Sequence, residues 1–524
     1  MTRTAAELGA GLAPARDPRP IVPGERIHIL GIAGAGASAA ALLAKAAGAI
    51  VTGCDPGGPS PYTRALEAAR IPIEWSHNAA HVGVKPPPDR LAVTKALTAI
   101  SPDHPELQAA RARGIPVASW QQVVADAASG RDVAAVAGTH GKSTTAGWLT
   151  WLLAEAGADP SAFVGALLPA ALTGGLPATA RIGAGLPFVI EADEYAGNFD
   201  PYRPAVAVVT TVEWDHPDVF ADRAAVIEAF ADWVDRVPDA TIVANLDDAG
   251  VQELLLEVQG RGKRSGRVVG FAAGGTSGAR QPRVVQAVGP GSDAVAGPAP
   301  SLVVDDQLSA AIVERTPAGT VIDIDGAADG PRRVHLPTVG DHNVVNALAA
   351  LGAAIELGAD PDRLLWALGT FPGIGRRLER KGEAGGVVVY DDYGHHPTAI
   401  RATLAALRER EPGRRVWAAY EPLTFHRTAA MLGDFADALA DADAVAIADI
   451  WASRDPDTLI TSPGALAAAV RNRRPGLTAF AAGSVEATAA WLAREVRDGD
   501  AVLVMGGGRS YRIAELLLEA LQGS

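Results

Sequence analysis

The residues best suited to chemistry lie between Val133 and Thr145, in the stretch VAAVAGTHGKSTT. A short apolar strand leads into a turn with two glycines, Gly138 and Gly141, and Lys142, Ser143 and Thr144 then open an amphipathic segment with no proline before Pro160. Such a turn aims backbone N–H groups and the positive end of a helix dipole at an anion, and its lysine reaches the outer phosphates. Gly138, Thr139, Gly141, Lys142, Ser143 and Thr144 are therefore expected to hold a nucleoside triphosphate. The usual pattern G-x-x-x-x-G-K-[ST] is not fully met, because Val136 stands where its first glycine belongs and the extra glycine is Gly138. Only six of the 46 basic residues are lysine, so a lysine kept here, where a compact ammonium suits phosphate, argues against mere turn chemistry.

A phosphate loop needs hard oxygen ligands for magnesium and positive charge to neutralise the transferred group. In FVIEADEY, Glu191 ends an apolar strand expected over Phe188–Glu191, and Asp193 and Glu194 follow. The next strand, Val206–Thr211, runs into VEWDHP, so Glu213, Asp215 and His216 leave the sheet on the same edge. Ser143, Glu191 and His216 are expected to surround one or two magnesium ions; a solvated acidic turn and an ordinary hydrogen-bonded histidine are the plain alternatives. Further along, FPGIGRRLERKG places Arg376 and Arg377 in a turn, and VVVYDDYGHHPTAI sets Asp391, Asp392, His395 and His396 behind a buried strand. Arginine captures phosphate through its planar fork. Asn343 and Asn346, three apart at a helix start, can present donor and acceptor to a base such as adenine or can cap the helix.

The elements that must position these groups are α/β throughout. At 524 residues the chain exceeds one hydrophobic core, and three domains are expected: 1–130 Rossmann-like, 131–371 central and ATP-binding, and 372–524 again Rossmann-like α/β. Arg26 to Asp55 reads as strand, glycine turn, small-residue helix and second strand; Gly34, Gly36 and Ala39 satisfy G-x-G-x-x-[GA], and Asp55 stands where a ribose hydroxyl is bound. UDP and NAD both fit that unit. A weak strand is expected near Leu91–Ile100. In the second domain, helices are expected around Arg223–Val234 and His342–Leu357. Between Ala272 and Pro300 the sequence is rich in Gly, Ala, Pro and Ser and reads as a surface connection. Beyond Gly369 strands are expected at Val387–Tyr390, Val416–Tyr420, Ala444–Ile450 and Ala501–Met505, with helices at Pro397–Arg408 and Met431–Leu439.

Composition narrows the partners. The net charge of −14 repels nucleic acid and anionic membranes in any unspecific encounter. One cysteine, Cys54, excludes an internal disulfide framework and fits a reducing cytoplasm. The first 25 residues lack the apolar core of a signal peptide, and the uncharged run Ile27–Ala44 holds three glycines and divides into strand, turn and helix, so no membrane insertion is expected. Oligomeric state is not encoded in any of these features.

The order of loop, EADE, E-x-D-H, HN-x-x-N, G-x-x-RR and DDYGHHP resembles the Mur ligase family along nearly the whole chain. These enzymes join an amino acid or peptide to a nucleotide-linked muramyl carboxylate with ATP, in peptidoglycan synthesis. IHILGIAGAGAS, SPDHPELQAARARGIPV and VLVMGGGRSYRIAE are most similar to the branch that adds L-alanine to UDP-N-acetylmuramate. The resemblance implies UDP rather than NAD on the first domain, bordered by Gly34, Gly36, Ser38, Asp55 and Glu194. It implies that Lys142 contacts the β- and γ-phosphates, that Ser143 and Glu191 bind one magnesium and His216 a second, and that Asn343 and Asn346 hold adenine. Arg376 would reach the γ-phosphate from the third domain, Asp392 would stand beside the reacting groups, and His395, His396 and Arg427 would border the amino acid. The chain departs from that branch at Leu97, Thr98 and Thr211, and at Leu423 and Thr424, where a His-Arg pair is usual. The last departure leaves two further readings open: a ligase that recycles a whole tripeptide onto the same sugar nucleotide, and a non-catalytic nucleotide-binding paralogue.

Overall fold

Short, mostly apolar runs build three large sheets and one two-stranded sheet in a computed structural model that describes residues 2–273, 283–286, 301–452, 455 and 457–523. The first sheet has five parallel strands in the order Ile73–Glu74, Ile50–Cys54, Arg26–Leu30, Arg90–Val93, Val117–Ser119. Its order reverses beside Arg26–Leu30, which puts the glycine turn after that strand in the ligand crevice of a doubly wound sheet. The helix Ala35–Ala46 is so rich in small side chains that it is buried on two sides. One face meets its own sheet; the other packs on the strands Ser161–Leu168 and Ala178–Arg181 of the second domain. The strand expected over Leu91–Ile100 ends at Val93, because the Thr94 hydroxyl accepts the Ala96 N–H and caps a helix over Lys95–Ile100.

The second sheet has ten strands among the described residues. Six central parallel strands run in the order Val268–Ala273, Thr241–Asn245, Val206–Val209, Asp132–Ala137, Pro187–Glu191, Ser161–Leu168. Asp132–Ala137 is first in the chain and lies in the middle, so the phosphate loop leaves from the point where the order reverses. On one edge Asp306–Thr316, Gly319–Asp325 and Arg332–Leu336 extend the sheet, the last two antiparallel, an addition the sequence reading lacked. The expected surface connection contains a strand, Arg283–Gln286, paired with Ser301–Val304; residues 274–282 and 287–300 of it lie outside the described residues. The helices Lys142–Glu155 and Asp341–Glu356 pack together under the loop, and Trp148 stacks on Phe371 at 4.5 Å.

The third sheet runs Glu379–Ala384, Val387–Asp392, Asp500–Gly506, Arg415–Glu421, Ala444–Ala448, Thr478–Gly483, parallel except for its first strand. Its carboxyl edge faces the phosphate loop of the second domain: Thr398 Oγ1 donates to Glu213 at 2.8 Å, and Arg427 pairs with Asp215 at 2.7 Å. Among the described residues no helix is long and apolar enough to cross a membrane.

Candidate active site

The phosphate loop is fastened to the neighbouring strand end. Thr139 N–H donates to Thr211 O at 2.9 Å, His140 N–H to Thr211 Oγ1 at 2.9 Å, and Thr139 Oγ1 accepts from Glu213 N–H at 2.9 Å. Gly138 has φ +133° with Thr210 and Thr211 packed where a Cβ would project, and Gly141 has φ +80° against the Asn346 amide. Both positions require glycine on conformation and on space. Lys142 curls back over the loop, its Nζ 2.5 Å from Gly138 O and 3.0 Å from Glu194 Oε2. Burial lifts the Glu194 carboxyl most, Asp193 adds to it and Lys142 opposes, leaving it at about 7.

Ser143 Oγ donates to Glu191 Oε1 at 2.9 Å, and Glu191 Oε2 accepts the Gly165 N–H at 2.6 Å. Hydroxyl and carboxylate oxygens of this kind are the hard donors magnesium takes, so this pair fits the ion. His216 belongs to a second group with Asp193 and Glu194, whose ligand atoms lie within 4.8 Å of one another. It stands at φ +56°, and its Nδ1 accepts from Arg427 Nη2 at 3.1 Å. A third set joins His140, Glu213 and His396: His140 Nε2 lies 3.4 Å from Glu213, and the two imidazole rings are 4.5 Å apart. Burial opposes ionisation of Glu213, yet its contacts with His140 and Thr398 hold it down at about 2.

The two adjacent arginines part company. Arg376 was expected at the phosphates, but it is turned into its own domain, pairing with buried Asp391 at 3.0 Å and donating to Gly506 O at 2.8 Å and Ser510 Oγ at 2.7 Å. Arg377 instead crosses to the loop and donates to Ser143 Oγ at 2.8 Å. The cause is local: Arg376 has φ +59°, a left-handed kink that separates successive side chains. Sequence reasoning noted Arg377 and chose its neighbour; it did not assign His140, Glu213 or Thr398, though His140 stands inside the loop motif itself.

Asp392, expected beside the reacting groups, accepts the Leu378 N–H at 2.8 Å and the Gly394 N–H at 2.7 Å, which fixes the turns carrying Arg377 and His395. His395 Nδ1 donates to Tyr393 O at 2.9 Å, leaving its Nε2 as an acceptor. Burial pushes His395 well below the usual imidazole range and His396 down to about 4. Arg427 is 2% exposed, and its Nε and Nη1 have no hydrogen-bond partner among the described residues.

Two cavities result. One, of about 350 Å³, is walled by Lys142, Ser143, Glu191, His216, Arg377, His395, His396, Leu423 and Arg427, with Gly36 and Trp120 of the first domain at its side. The other, of about 220 Å³, lies behind the loop between Thr144, Asn343, Asn346, Asn245 and Asp392. Asn346 Oδ1 accepts from Thr145 Oγ1 at 3.2 Å, and Asn343 Nδ2 donates to Val339 O at 2.8 Å. Of the residues expected around UDP, Gly34 begins the helix Ala35–Ala46, and Asp55 holds the glycine turn through Ala33 N–H at 3.1 Å. Ser38 is instead fully buried against Thr179 Oγ1 at 2.9 Å, in the seam between domains, and Glu194 is taken by Lys142. A side chain at Gly36 would collide with Trp120.

Similarity to known proteins runs along most of the chain. Residues 26–132 match the model for the Mur ligase family catalytic domain, 136–354 the Mur ligase middle domain, and 376–508 the Mur ligase glutamate ligase domain. The chain is 40% identical to UDP-N-acetylmuramate–L-alanine ligase of Kineococcus radiotolerans, over 95% of this chain and 96% of that protein. It is 38% identical to the enzyme of the same name from Frankia casuarinae, over 95% and 98%. Among solved structures, UDP-N-acetylmuramate-alanine ligase from Thermotoga maritima shares the fold with a TM-score of 0.73 at 22% identity, covering 95% of this chain and 99% of that one. A murein peptide ligase from Psychrobacter arcticus gives 0.68 at 25% identity, covering 96% and 99%.

Proposed function

The chain belongs to the Mur ligase family, and from that premise we propose that it joins L-alanine to the lactyl carboxylate of UDP-N-acetylmuramate, using ATP, in cytoplasmic peptidoglycan precursor synthesis. The observation that carries the reading is the cavity of about 350 Å³ that the phosphate loop, Arg377 and Arg427 line together.

A carboxylate has no adequate leaving group at neutral pH, so it is activated by attack on the γ-phosphate, giving an acyl phosphate and ADP. Lys142 is already desolvated and fixed, and an incoming phosphate competes with Glu194 for its ammonium. Arg377 adds a second positive group from the third domain, and both sit where charge develops during transfer. Ser143 and Glu191 would hold a magnesium ion, which when bound neutralises phosphate charge; His216 with Asp193 and Glu194 offers a second position. Asn343 and Asn346 receive the adenine in the cavity behind the loop. The uridine nucleotide approaches the glycine turn at Gly34 and Gly36.

Arg427, a buried cation held by Asp215, takes the amino-acid carboxylate. Leu423 closes the wall beside it and leaves room for a small side chain. His395 is neutral at physiological pH and presents Nε2 as an acceptor, so it accepts a hydrogen bond from the alanine amine and orients it, while the proton the ammonium gives up leaves to water. The amine then displaces phosphate from the acyl carbon.

Phosphate release from ATP with magnesium and UDP-N-acetylmuramate tests the reading, with L-alanine compared against glycine, L-serine and the recycled tripeptide. Release that depends on L-alanine is expected; dependence on the tripeptide, or silence with every amine, would overturn it.

A further inference from the structure

Away from the nucleotide cleft, the first domain gathers four of the chain's 11 histidines and its single cysteine around one carboxylate. Glu106, fully buried at the start of the helix Pro105–Ala112, is the hub. Its Oε2 lies 3.2 Å from His28 Nε2. Its Oε1 lies 3.3 Å from His81 Nδ1, 3.5 Å from His77 Nδ1 and 3.3 Å from Cys54 Sγ, and also accepts the Asn78 N–H at 2.9 Å. Cys54 Sγ is in turn 3.2 Å from His77 Nδ1, and His104 packs edge-on to His77 at 4.4 Å. One carboxylate oxygen has two lone pairs and cannot serve four neighbours at once. The spacing has another explanation: donors bound at about 2.0–2.3 Å to a tetrahedral cation stand about 3.3–3.8 Å from one another.

We propose that His28, Cys54, His81 and Glu106 form a zinc site in the first domain. Imidazole, thiolate and carboxylate together suit a borderline-soft divalent ion and not magnesium. Binding forms a Zn–S bond and releases the Cys54 thiol proton to water; the thiolate and the Glu106 carboxylate then balance the two charges of the ion. The outer partner is in place, since His28 Nδ1 meets Thr52 Oγ1 at 2.8 Å and so turns Nε2 inward. The His77 and His81 side chains lie nearest solvent, at 19% and 16% exposed, whereas Cys54 and Glu106 are fully buried. The four ligands come from two strands, the short turn Ala79–His81 and a helix. Cys54 directly precedes Asp55, which holds the glycine turn, so the ion would fix the strand end on which that turn rests.

The full-length chain, stripped with chelator and kept in excess magnesium, is titrated with Co2+ and then with Zn2+. One equivalent of Co2+ should give the strong visible bands of a tetrahedral centre and a thiolate-to-cobalt charge-transfer band, both erased by Zn2+. Because Cys54 is the only cysteine, that band reports this site alone. Cys54→Ser should abolish it. His81→Ala, at the rim, should weaken Zn2+ binding by at least the roughly 10- to 100-fold that loss of an outer partner costs. A weak octahedral spectrum without charge transfer in the wild-type chain, or undiminished affinity in His81→Ala, would overturn the proposal.

Discussion

Arg376 and Arg377 are chemically identical neighbours with opposite commitments, and exchanging each for alanine should separate catalysis from stability. Arg377 donates to Ser143 Oγ at 2.8 Å, and its Nε is buried without a protein partner. Its removal deprives the transferring phosphoryl group of one preorganised cation, worth about 3–4 kcal/mol, or about 10²–10³ in kcat. Among the described residues only Ser143 loses a hydrogen bond with it, so the thermal transition should move little. Arg376→Ala strands the Asp391 carboxylate, which is fully buried and whose Oδ1 already lacks a partner. Breaking such a pair costs about 3–5 kcal/mol, or about 6–20 °C in the unfolding of a domain of this size. Steady-state phosphate release and differential scanning calorimetry, read at a temperature where both variants are folded, give the two quantities. The reasoning is refuted if Arg377→Ala keeps kcat within about threefold of wild type, or if Arg376→Ala abolishes turnover with an unshifted transition.

Lys142→Ala should abolish turnover while circular dichroism stays that of the native chain; unchanged activity would dismiss the loop assignment. The His396 imidazole is depressed by burial from the usual 6.5 to about 4, so the unfolded chain binds the extra proton. Its share of stability is therefore fully present above pH 6.5 and lost as pH falls towards 4, by about 3 kcal/mol, and urea titrations across that window should flatten in His396→Gln. Leu423→Ala should admit larger amines beside Arg427, shifting the ratio of kcat/KM between L-alanine and bulkier amino acids by about 10–200-fold; an unchanged ratio would show that Leu423 does not set the amine. Small-angle scattering should show compaction when ATP and both substrates are added, because water has to be kept from an acyl phosphate.

The parallel strands were legible because both faces of each are buried, which forces apolar runs such as VAAVA, FVI and VAVV. Strands that break this rule were missed. Asp306–Thr316 and Arg332–Leu336 carry charged residues on an open face, and Thr94 converted half of an expected strand into a helix through one capping hydroxyl. At the site, the loop and the strand-end carboxylates were legible because sheet order sends them to one edge. The choice between Arg376 and Arg377 was not, since it turns on a single positive φ that no side-chain pattern records. Ser38 belongs to a motif for nucleotides, yet its buried hydroxyl donates to Ala35 O and accepts from Thr179 Oγ1, the second a contact set by how two domains dock. The histidines around Glu106 lie up to 78 positions from it in the chain and share no spacing rule.

Arg377 reaches Ser143 across 234 positions of sequence, and this has a bearing on synthesis. A chain emerging from the ribosome finishes its phosphate loop, with Lys142, Ser143 and Glu191, long before the segment that bears Arg377 and His395 exists. The nascent protein thus carries its phosphate loop before the residues that complete either cavity around it, and the energy-consuming step waits until the last domain has been made.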